Sequence, residues 1–347
     1  MRVCITGGSG FLGRNLIKRL CADGADRIVT FTRDEHRFAA LQAEFCWHPG
    51  FRVDAGDVRD LPSLIRIFSG SECVIHAAAR KVVRSHPSES EEMLKTNIIG
   101  TQNAIAAARQ AGCAKFILVS SDKAVHAEDQ SYGISKAMAE RLVISANTGH
   151  GLRLGVVRYG NVLGSTGSVL EKWQAQHARG EHLTVSDPCM TRFWITRRQA
   201  VDHVLAALAN LRGGEIVVPS LPAAPIWMLA AAVTGVIEYG DVQMAPVIDA
   251  PVESRTIWRE DVADAKRYAP RQGGEKVHEQ LLSDAEVRRA LRLKWNGRIV
   301  VPPYQHAGMW DMKPWLGERL PPGTVYRSDV WPQQLDVTGM RSLLEAE

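Results

Sequence analysis

Short apolar runs alternate along the 347 residues with stretches in which apolar positions recur every three or four residues. Residues 2–6 read as a buried strand, and Phe11, Leu12, Leu16, Ile17 and Leu20 then fall on one side of a helix. Further strand-like runs lie at 28–32, 51–53, 73–76, 116–119 and 154–158, with an amphipathic segment at 89–110 and a helical pattern at 132–147. This alternation predicts an α/β protein, a Rossmann-type doubly wound parallel sheet with a smaller C-terminal substrate-binding lobe. After Gly164 the rhythm changes. Residues 168–179 and 199–211 read as helices, 186–196 as a loop followed by a short apolar piece, 215–218 as a strand and 337–345 as a final helix. Residues 235–271 carry mixed signals and receive no assignment. The expected division is a cofactor-binding domain over 1–164, with a return at about 190–218, and mainly a substrate lobe with a C-terminal extension over 165–347.

Composition narrows the class. Apolar content of 45% and charged content of 23% suit a globular enzyme, and a net charge of +4 with no long basic run gives nucleic-acid binding no support. The six cysteines are scattered without metal-ligand spacing, so neither a metal site nor a disulfide framework is expected. No signal peptide and no apolar run of membrane-spanning length is evident, so a cytoplasmic protein without a membrane partner is expected.

The first strand runs into T-G-G-S-G-F-L-G, with Gly7, Gly10 and Gly13 in G-x-x-G-x-x-G spacing before a helix. Such glycines allow a tight turn, close approach of a pyrophosphate and close helix–strand packing, and the helix N-terminus faces the phosphates. The second strand ends in Thr32-Arg33-Asp34-Glu35. An acid there favours a free ribose 2′-hydroxyl and an arginine a 2′-phosphate, so the pair is ambiguous; Arg33 leads us to expect NADP in preference to NAD. Asp57 is a candidate partner of the adenine amino group, a helix cap before Leu61, or both. Small residues Ala77 and Ala78 follow the fourth strand, whose His76 reads as structural. Asn97 is locally unfavourable inside a helix and so a candidate for organising the site. With Gly7, Gly10, Phe11, Leu12, Gly13, Val58 and Lys81, these residues make up the expected cofactor contacts, to which Tyr132 and Lys136 are added.

The fifth strand delivers Ser120, Ser121, Asp122 and Lys123 at its carboxyl end, where open α/β sheets place ligands. Tyr132 and Lys136 follow, four apart on one helix face. Four titratable groups in one small site exceed what a simple oxidoreductase needs. Lys81, Asn161, Arg192, Arg271 and Glu275 are candidate substrate contacts, the two arginines because their forks match diphosphate oxygens.

These motifs resemble the extended short-chain dehydrogenase/reductase superfamily, and within it the inverting UDP-N-acetylglucosamine 4,6-dehydratases of pseudaminic acid and related polysaccharide biosynthesis. The likeness rests on S-S-D-K-A-V at 120–125, Y-G-I-S-K at 132–136, V-R-Y-G-N-V-L-G-S at 157–165, M-T-R-F-W-I-T at 190–196 and G-G-E-K-V-H-E at 273–279. It departs from the family at Ser121, where Thr is usual, at Thr166, where Arg is usual, and in R-Q-G-G-E-K around Arg271. The resemblance implies a lyase on a UDP-sugar, inversion at C5 and a homo-oligomer. A sugar-nucleotide 4-epimerase, or a dehydratase of another sugar nucleotide, is the rival expectation.

Dehydration across C5 and C6 requires oxidation at C4, which makes the C5 proton acidic. Tyr132 suits the C4 hydroxyl proton if Lys136 and the nicotinamide cation favour its phenolate. Ser121 suits a hydrogen bond to the C4 oxygen, Lys123 the C5 base and Asp122 the acid for the leaving C6 hydroxyl. The last two roles call for a partly neutral Lys123 and a partly protonated Asp122.

Overall fold

The computed structural model describes the chain apart from residues 82–86, 128–129, 149–150, 182, 184, 186, 188, 236–274, 295 and 304–316. Six strands alternate with helices in its first half: β1 (Arg2–Thr6), α1 (Phe11–Ala22), β2 (Arg27–Thr32), α2 (Glu35–Phe45), β3 (Phe51–Ala55), α3 (Leu61–Phe68) and β4 (Cys73–His76). α4 (Pro87–Met93) continues through a π-helical segment, Leu94–Ile99, into α5 (Gly100–Gln110), followed by β5 (Lys115–Val119), α6 (Ser131–Ala146) and β6 (Arg153–Val157). The second half holds β7 (Asn161–Val162), α7 (Val169–Ala178), β8 (Thr191–Ile195), α8 (Arg197–Ala209), β9 (Ile216–Val218), β10 (Ala223–Pro225) and α9 (Ile226–Thr234). It closes with α10 (Asp284–Val287), β11 (Leu291–Leu293), β12 (Ile299–Val301), β13 (Gly317–Arg319) and α11 (Val337–Glu345).

The main sheet has the order β13-β11-β12-β9-β6-β5-β4-β1-β2-β3. From β3 to β9 all neighbours are parallel, as expected, but β12, β11 and β13 add antiparallel strands, so the sheet is mixed. The loop from β11 to β12 is too short for the crossover that a parallel pair requires. A small second sheet has the order β10-β8-β7.

Pleating sorts the core. In β1, Val3 and Ile5 face Leu16, Ile17 and Leu20 of α1, whereas Cys4 joins the opposite cluster with Leu64, Phe68 and Ala104. A third cluster, including Leu163, Trp173, Trp194, Leu229 and Met340, packs the smaller lobe. The lobe is tied to the main sheet by buried Arg158 next to the end of β6. Its guanidinium donates to Glu140 of α6 at 2.6 and 2.8 Å and to Glu286 of α10 at 2.9 and 2.9 Å.

Two local expectations change. The helix expected over 89–110 widens into the π segment around Asn97, whose side chain serves the chain outside the helix. β8, expected only as a short apolar piece after a loop, is a wholly buried strand that carries Arg192 at 1% exposure.

Candidate active site

The order β4-β1 reverses the direction of winding, and a cavity of about 620 Å³ opens at the carboxyl ends of the strands there. Its lining includes Gly7, Gly10, Phe11, Leu12, Gly13, Ala77, Lys81, Ser121, Lys123, Tyr132, Lys136, Asn161, Arg192 and Glu275. Among the described residues, four cationic side chains, Lys81, Lys123, Lys136 and Arg192, face it against one carboxylate, Glu275, which suits an anionic ligand.

The glycine turn is shaped by close approach. Gly7 has φ +73°, a Cβ there would strike the backbone of Ala77 and Ala78, and one on Gly13 would strike the Gly7 carbonyl. Gly10 caps α1 without a side-chain bond, leaving the helix N-terminus open to the cavity. These features fit a dinucleotide pyrophosphate. The turn after β4 is fixed from beneath. His76 hydrogen bonds Thr6 at 2.8 Å and Thr101 at 3.0 Å, and the Ala78 N–H donates to Thr6 at 3.0 Å. Burial pulls the His76 pKa down to about 3, so the ring is neutral and structural. Asn97 accepts from the Arg80 N–H at 2.7 Å and donates to the Arg80 carbonyl at 3.0 Å and to Ser135 at 2.9 Å. It therefore pins the strand-end turn to α6 and stands outside the cavity lining, as do Ala78 and the core residue Val58.

Beyond the end of β2, the Arg33 guanidinium donates to Asp57 at 3.2 Å, and Asp57 is also forked by Arg59 at 2.7 and 3.0 Å. Burial pushes the Asp57 carboxyl up, but Arg59 and Arg33 outweigh it and hold it below the usual range. Asp34 caps α2, accepting from the Arg37 N–H at 3.0 Å. The cap before Leu61 is Asp60, not Asp57. Arg33 is thus already paired with a carboxylate that it shares with Arg59, which weakens the case for it as a 2′-phosphate ligand.

The chemistry clusters where β5 ends. Asp122–Ala124 form a 3₁₀ turn capped by Ser121. Ser121 Oγ donates to Asp122 Oδ1 at 2.7 Å. Asp122 is fully buried behind Ser121 and Lys123, and its Oδ2 has no hydrogen-bond partner among the described residues. Lys123 Nζ lies 3.2 Å from Asp122 Oδ1, 3.4 Å from Asn161 Oδ1 and 3.4 Å from Glu279 Oε1, so its three protons have three acceptors. Burial raises the Asp122 pKa, in the expected direction. For Lys123, burial works against the ammonium but Asp122 and Glu279 outweigh it, so its pKa rises. The expectation of a partly neutral Lys123 is corrected: the acidic side chains of Asp122 and Glu279 favour its ammonium form.

Tyr132 also departs from expectation. Burial pushes its pKa up to about 12, and the cation acting on it is Lys123. Lys136 donates to the Val119 carbonyl at 2.6 Å, and burial lowers its pKa to about 8 against the pull of Glu140. The phenolate is therefore not favoured by Lys136 in this structure.

Arg192 reaches the cavity with its donors committed, to Glu275 at 2.7 Å, the Thr191 carbonyl at 2.8 Å and the Val277 carbonyl at 3.1 Å. Lys81 donates to the Thr166 carbonyl at 3.2 Å. Arg271 lies outside the described residues. Sequence reasoning passed over Glu279, though it ends the G-G-E-K-V-H-E motif, and Tyr159, which lines the cavity and whose hydroxyl pKa is pushed up by burial and then by Tyr132 and Asp122.

A family model described as polysaccharide biosynthesis protein matches residues 3–299. Among curated relatives, an uncharacterized membrane protein of Methanocaldococcus jannaschii is 35% identical over 87% of this chain and 86% of its own length. A UDP-N-acetylglucosamine 4,6-dehydratase (inverting) of Campylobacter jejuni is 37% identical over 66% of this chain and 70% of its own. A UDP-glucose 4-epimerase of Rickettsia massiliae is 32% identical over 85% and 81%. Dehydratase and epimerase relatives thus stand at similar identity, and the chain is homologous to their superfamily without being tied to one member.

Among solved structures, Pen from Bacillus thuringiensis superposes with a TM-score of 0.82 at 26% identity, covering 99% of this chain and 97% of that one. DesIV, a dTDP-glucose 4,6-dehydratase from Streptomyces venezuelae with NAD and TYD bound, gives 0.61 at 22% identity over 71% and 84%. A UDP-glucuronic acid 4-epimerase from Bacillus cereus, in complex with its fluorinated substrate analogue and NAD, gives 0.62 at 18% over 80% and 95%. The last two share the fold and hold NAD. Together with the paired Arg33, this overturns the expectation of NADP. No helix among the described residues is long and apolar enough to cross a membrane.

Proposed function

The chain belongs to the polysaccharide biosynthesis protein family, within the sugar-nucleotide epimerase/dehydratase superfamily, and we propose that it uses NAD to remove water from a UDP-linked hexose. The observation that carries the reading is the convergence of Tyr132 and Lys136 with the Ser121-Asp122-Lys123 turn on one cavity. Epimerisation at C4 needs only a hydride acceptor and a base. A carboxyl whose pKa burial raises, beside a lysine, is additional acid–base equipment. The named C. jejuni and fold relatives make a UDP-sugar and NAD the first ligands to test.

In this reading the glycine turn, the α1 N-terminus, Ala77 and Lys136 hold the dinucleotide. NAD supplies a hydride acceptor for C4 and the hydride later returned to C6. Tyr132 accepts the C4 hydroxyl proton; burial raises its pKa to about 12, and Lys123 partly offsets that rise. Lys123 faces the C5 proton. Asp122 does not line the cavity, and Ser121, which does, donates to it at rest; for the Asp122 proton to reach the leaving C6 hydroxyl, the Ser121 hydroxyl must turn to accept it and release its own proton to the cavity. Lys81 and Arg192 give the cavity its positive side for a diphosphate, with Asn161 and Glu275 on the sugar. Inversion at C5 follows if C5 is reprotonated from the face opposite Lys123.

The division into a cofactor domain over 1–164 and a substrate lobe over 165–347 is proposed on the same basis. A homo-oligomer is proposed too: Leu94 and Ile99 on the π segment and Ile134 and Met138 on the adjoining α6 are 40–49% exposed, an apolar face suited to a second copy. The function is tested by incubating the protein with NAD and UDP-N-acetylglucosamine or UDP-glucose. A 4-keto-6-deoxy product supports it. A 4-epimer with no 6-deoxy product replaces it with the epimerase reading.

A further inference from the structure

Lys123 is flanked by two buried carboxylates, and only one has been given a role. Glu279 is 1% exposed and lies on the segment that leads into the C-terminal lobe. Its Oε1 is 3.4 Å from Lys123 Nζ and 4.0 Å from Arg192 Nε. Its Oε2 is buried without a hydrogen-bond partner among the described residues, as is Oδ2 of Asp122 on the other side of the same ammonium. The Glu279 backbone is fixed by Ser328: the Glu279 N–H donates to Ser328 Oγ at 2.9 Å and the Ser328 N–H to the Glu279 carbonyl at 2.9 Å. A carboxyl oxygen buried without a partner is costly, and each of the two carboxyls beside this lysine has one among the described residues.

We propose that Glu279 is a positioning residue that acts through Lys123: its negative charge lets the Asp122–Lys123 pair hold a proton on each member, and it then takes up the proton that Lys123 must lose. The inference rests on the reading of Asp122 as the acid and Lys123 as the base. At rest the cluster is Asp122 carboxylic acid, Lys123 ammonium and Glu279 carboxylate. Passage of one proton from Lys123 to Glu279 gives a neutral amine beside a protonated Asp122, with no exchange with solvent. The amine takes the C5 proton and Asp122 supplies one, through Ser121, to the leaving hydroxyl, so one proton enters the cluster and one leaves. Glu279 afterwards returns its proton through Lys123 to Asp122.

The surroundings push Asp122 toward its acid form and Glu279 toward its carboxylate, which favours the resting distribution and makes the passage of a proton from Lys123 to Glu279 the uphill step. Burial and the Glu279 charge raise Asp122 against Lys123, whereas Lys123, Arg192 and Lys276 outweigh burial at Glu279 and lower it. The other groups facing the cluster are Tyr132 of α6, Tyr159 after β6, Asn161 of β7 and Glu275, which pairs with Arg192. Two carboxyls whose environments separate their proton affinities divide into an acid and a base.

The test compares wild type with Glu279→Gln and Glu279→Asp. Infrared difference spectra of the protein without substrate at neutral pH should contain the carbonyl band of a buried carboxylic acid. That band should vanish in Asp122→Asn and in Glu279→Gln, where Asp122 becomes the sole carboxylate counter-ion of Lys123, and persist in Glu279→Asp. Removing a negative charge lowers the proton affinity of both Asp122 and Lys123, so the pH–rate optimum of Glu279→Gln should move to lower pH. Its dehydration rate at neutral pH should fall on the order of 10²-fold while oxidation at C4 persists. A band that survives Glu279→Gln, or an unshifted pH profile with oxidation and dehydration lost in parallel, overturns the proposal. Failure of wild type to release water overturns the dehydratase reading instead, and the infrared result, which needs no turnover, separates the two.

Discussion

Replacing Glu286 by Gln removes one charge from the buried Arg158 network while keeping side-chain shape and the cap that Glu286 forms with Ser283. Burial works against the Glu286 carboxylate, but Arg158, at 2.9 Å, and Ser283 outweigh it and hold its pKa at about 2. A carboxylate held there, where 4.5 is ordinary, is favoured in the folded protein by roughly 3 kcal/mol. Its folded pKa is depressed, so this contribution is fully present above the unfolded value near 4.5 and is lost as pH falls toward 2. Glu140 remains to neutralise Arg158 in the variant, so the loss should stay below the ~3–5 kcal/mol that stranding a buried charge costs. Urea unfolding of both proteins should show Glu286→Gln less stable by ~2–3 kcal/mol at neutral pH, with the gap closing between pH 4.5 and 2. A gap below ~0.5 kcal/mol, or one that stays constant through the acid range, would refute the reasoning.

Three other outcomes are expected. Tyr132→Phe should lower turnover by about 10²–10⁴-fold, with NAD affinity by calorimetry unchanged. Gly13→Ala places a Cβ against the Gly7 carbonyl, and at ~1–3 kcal/mol for overpacking the Kd for NAD should rise at least about tenfold in a fluorescence titration. Ile134→Glu with Met138→Glu should convert an oligomer to monomer in light scattering, because both side chains sit on the apolar face of α6.

Much of the cofactor half was legible because its signals are local. The glycine turn, the strand–helix alternation through β6 and the pairing of Tyr132 with Lys136 are each set by neighbours within a few residues. The substrate side was less legible because its order comes from contacts distant in sequence. β8 hides behind a buried arginine whose partners, Glu275 and Val277, lie more than eighty residues on. Glu279 is an ordinary acid in sequence and gains meaning only once the chain returns it to Lys123. Arg33 looked free for a phosphate because its partner, Asp57, comes from after the next strand. Likewise the direction of the Lys123 shift depends on two acidic side chains, one of which, Glu279, lies 156 residues further on. The π segment at Asn97 was half visible: the residue's poor helix preference was the signal, but its partners at Arg80 and Ser135 were not.

The most direct test of the central claim is proton NMR of the purified protein with NAD and UDP-N-acetylglucosamine in deuterated water. The account predicts a new C6 methyl signal, a 4-keto product or its hydrate, and deuterium at C5, with the couplings reporting inversion. A spectrum in which C6 keeps its hydroxymethyl protons while C4 is epimerised would contradict it.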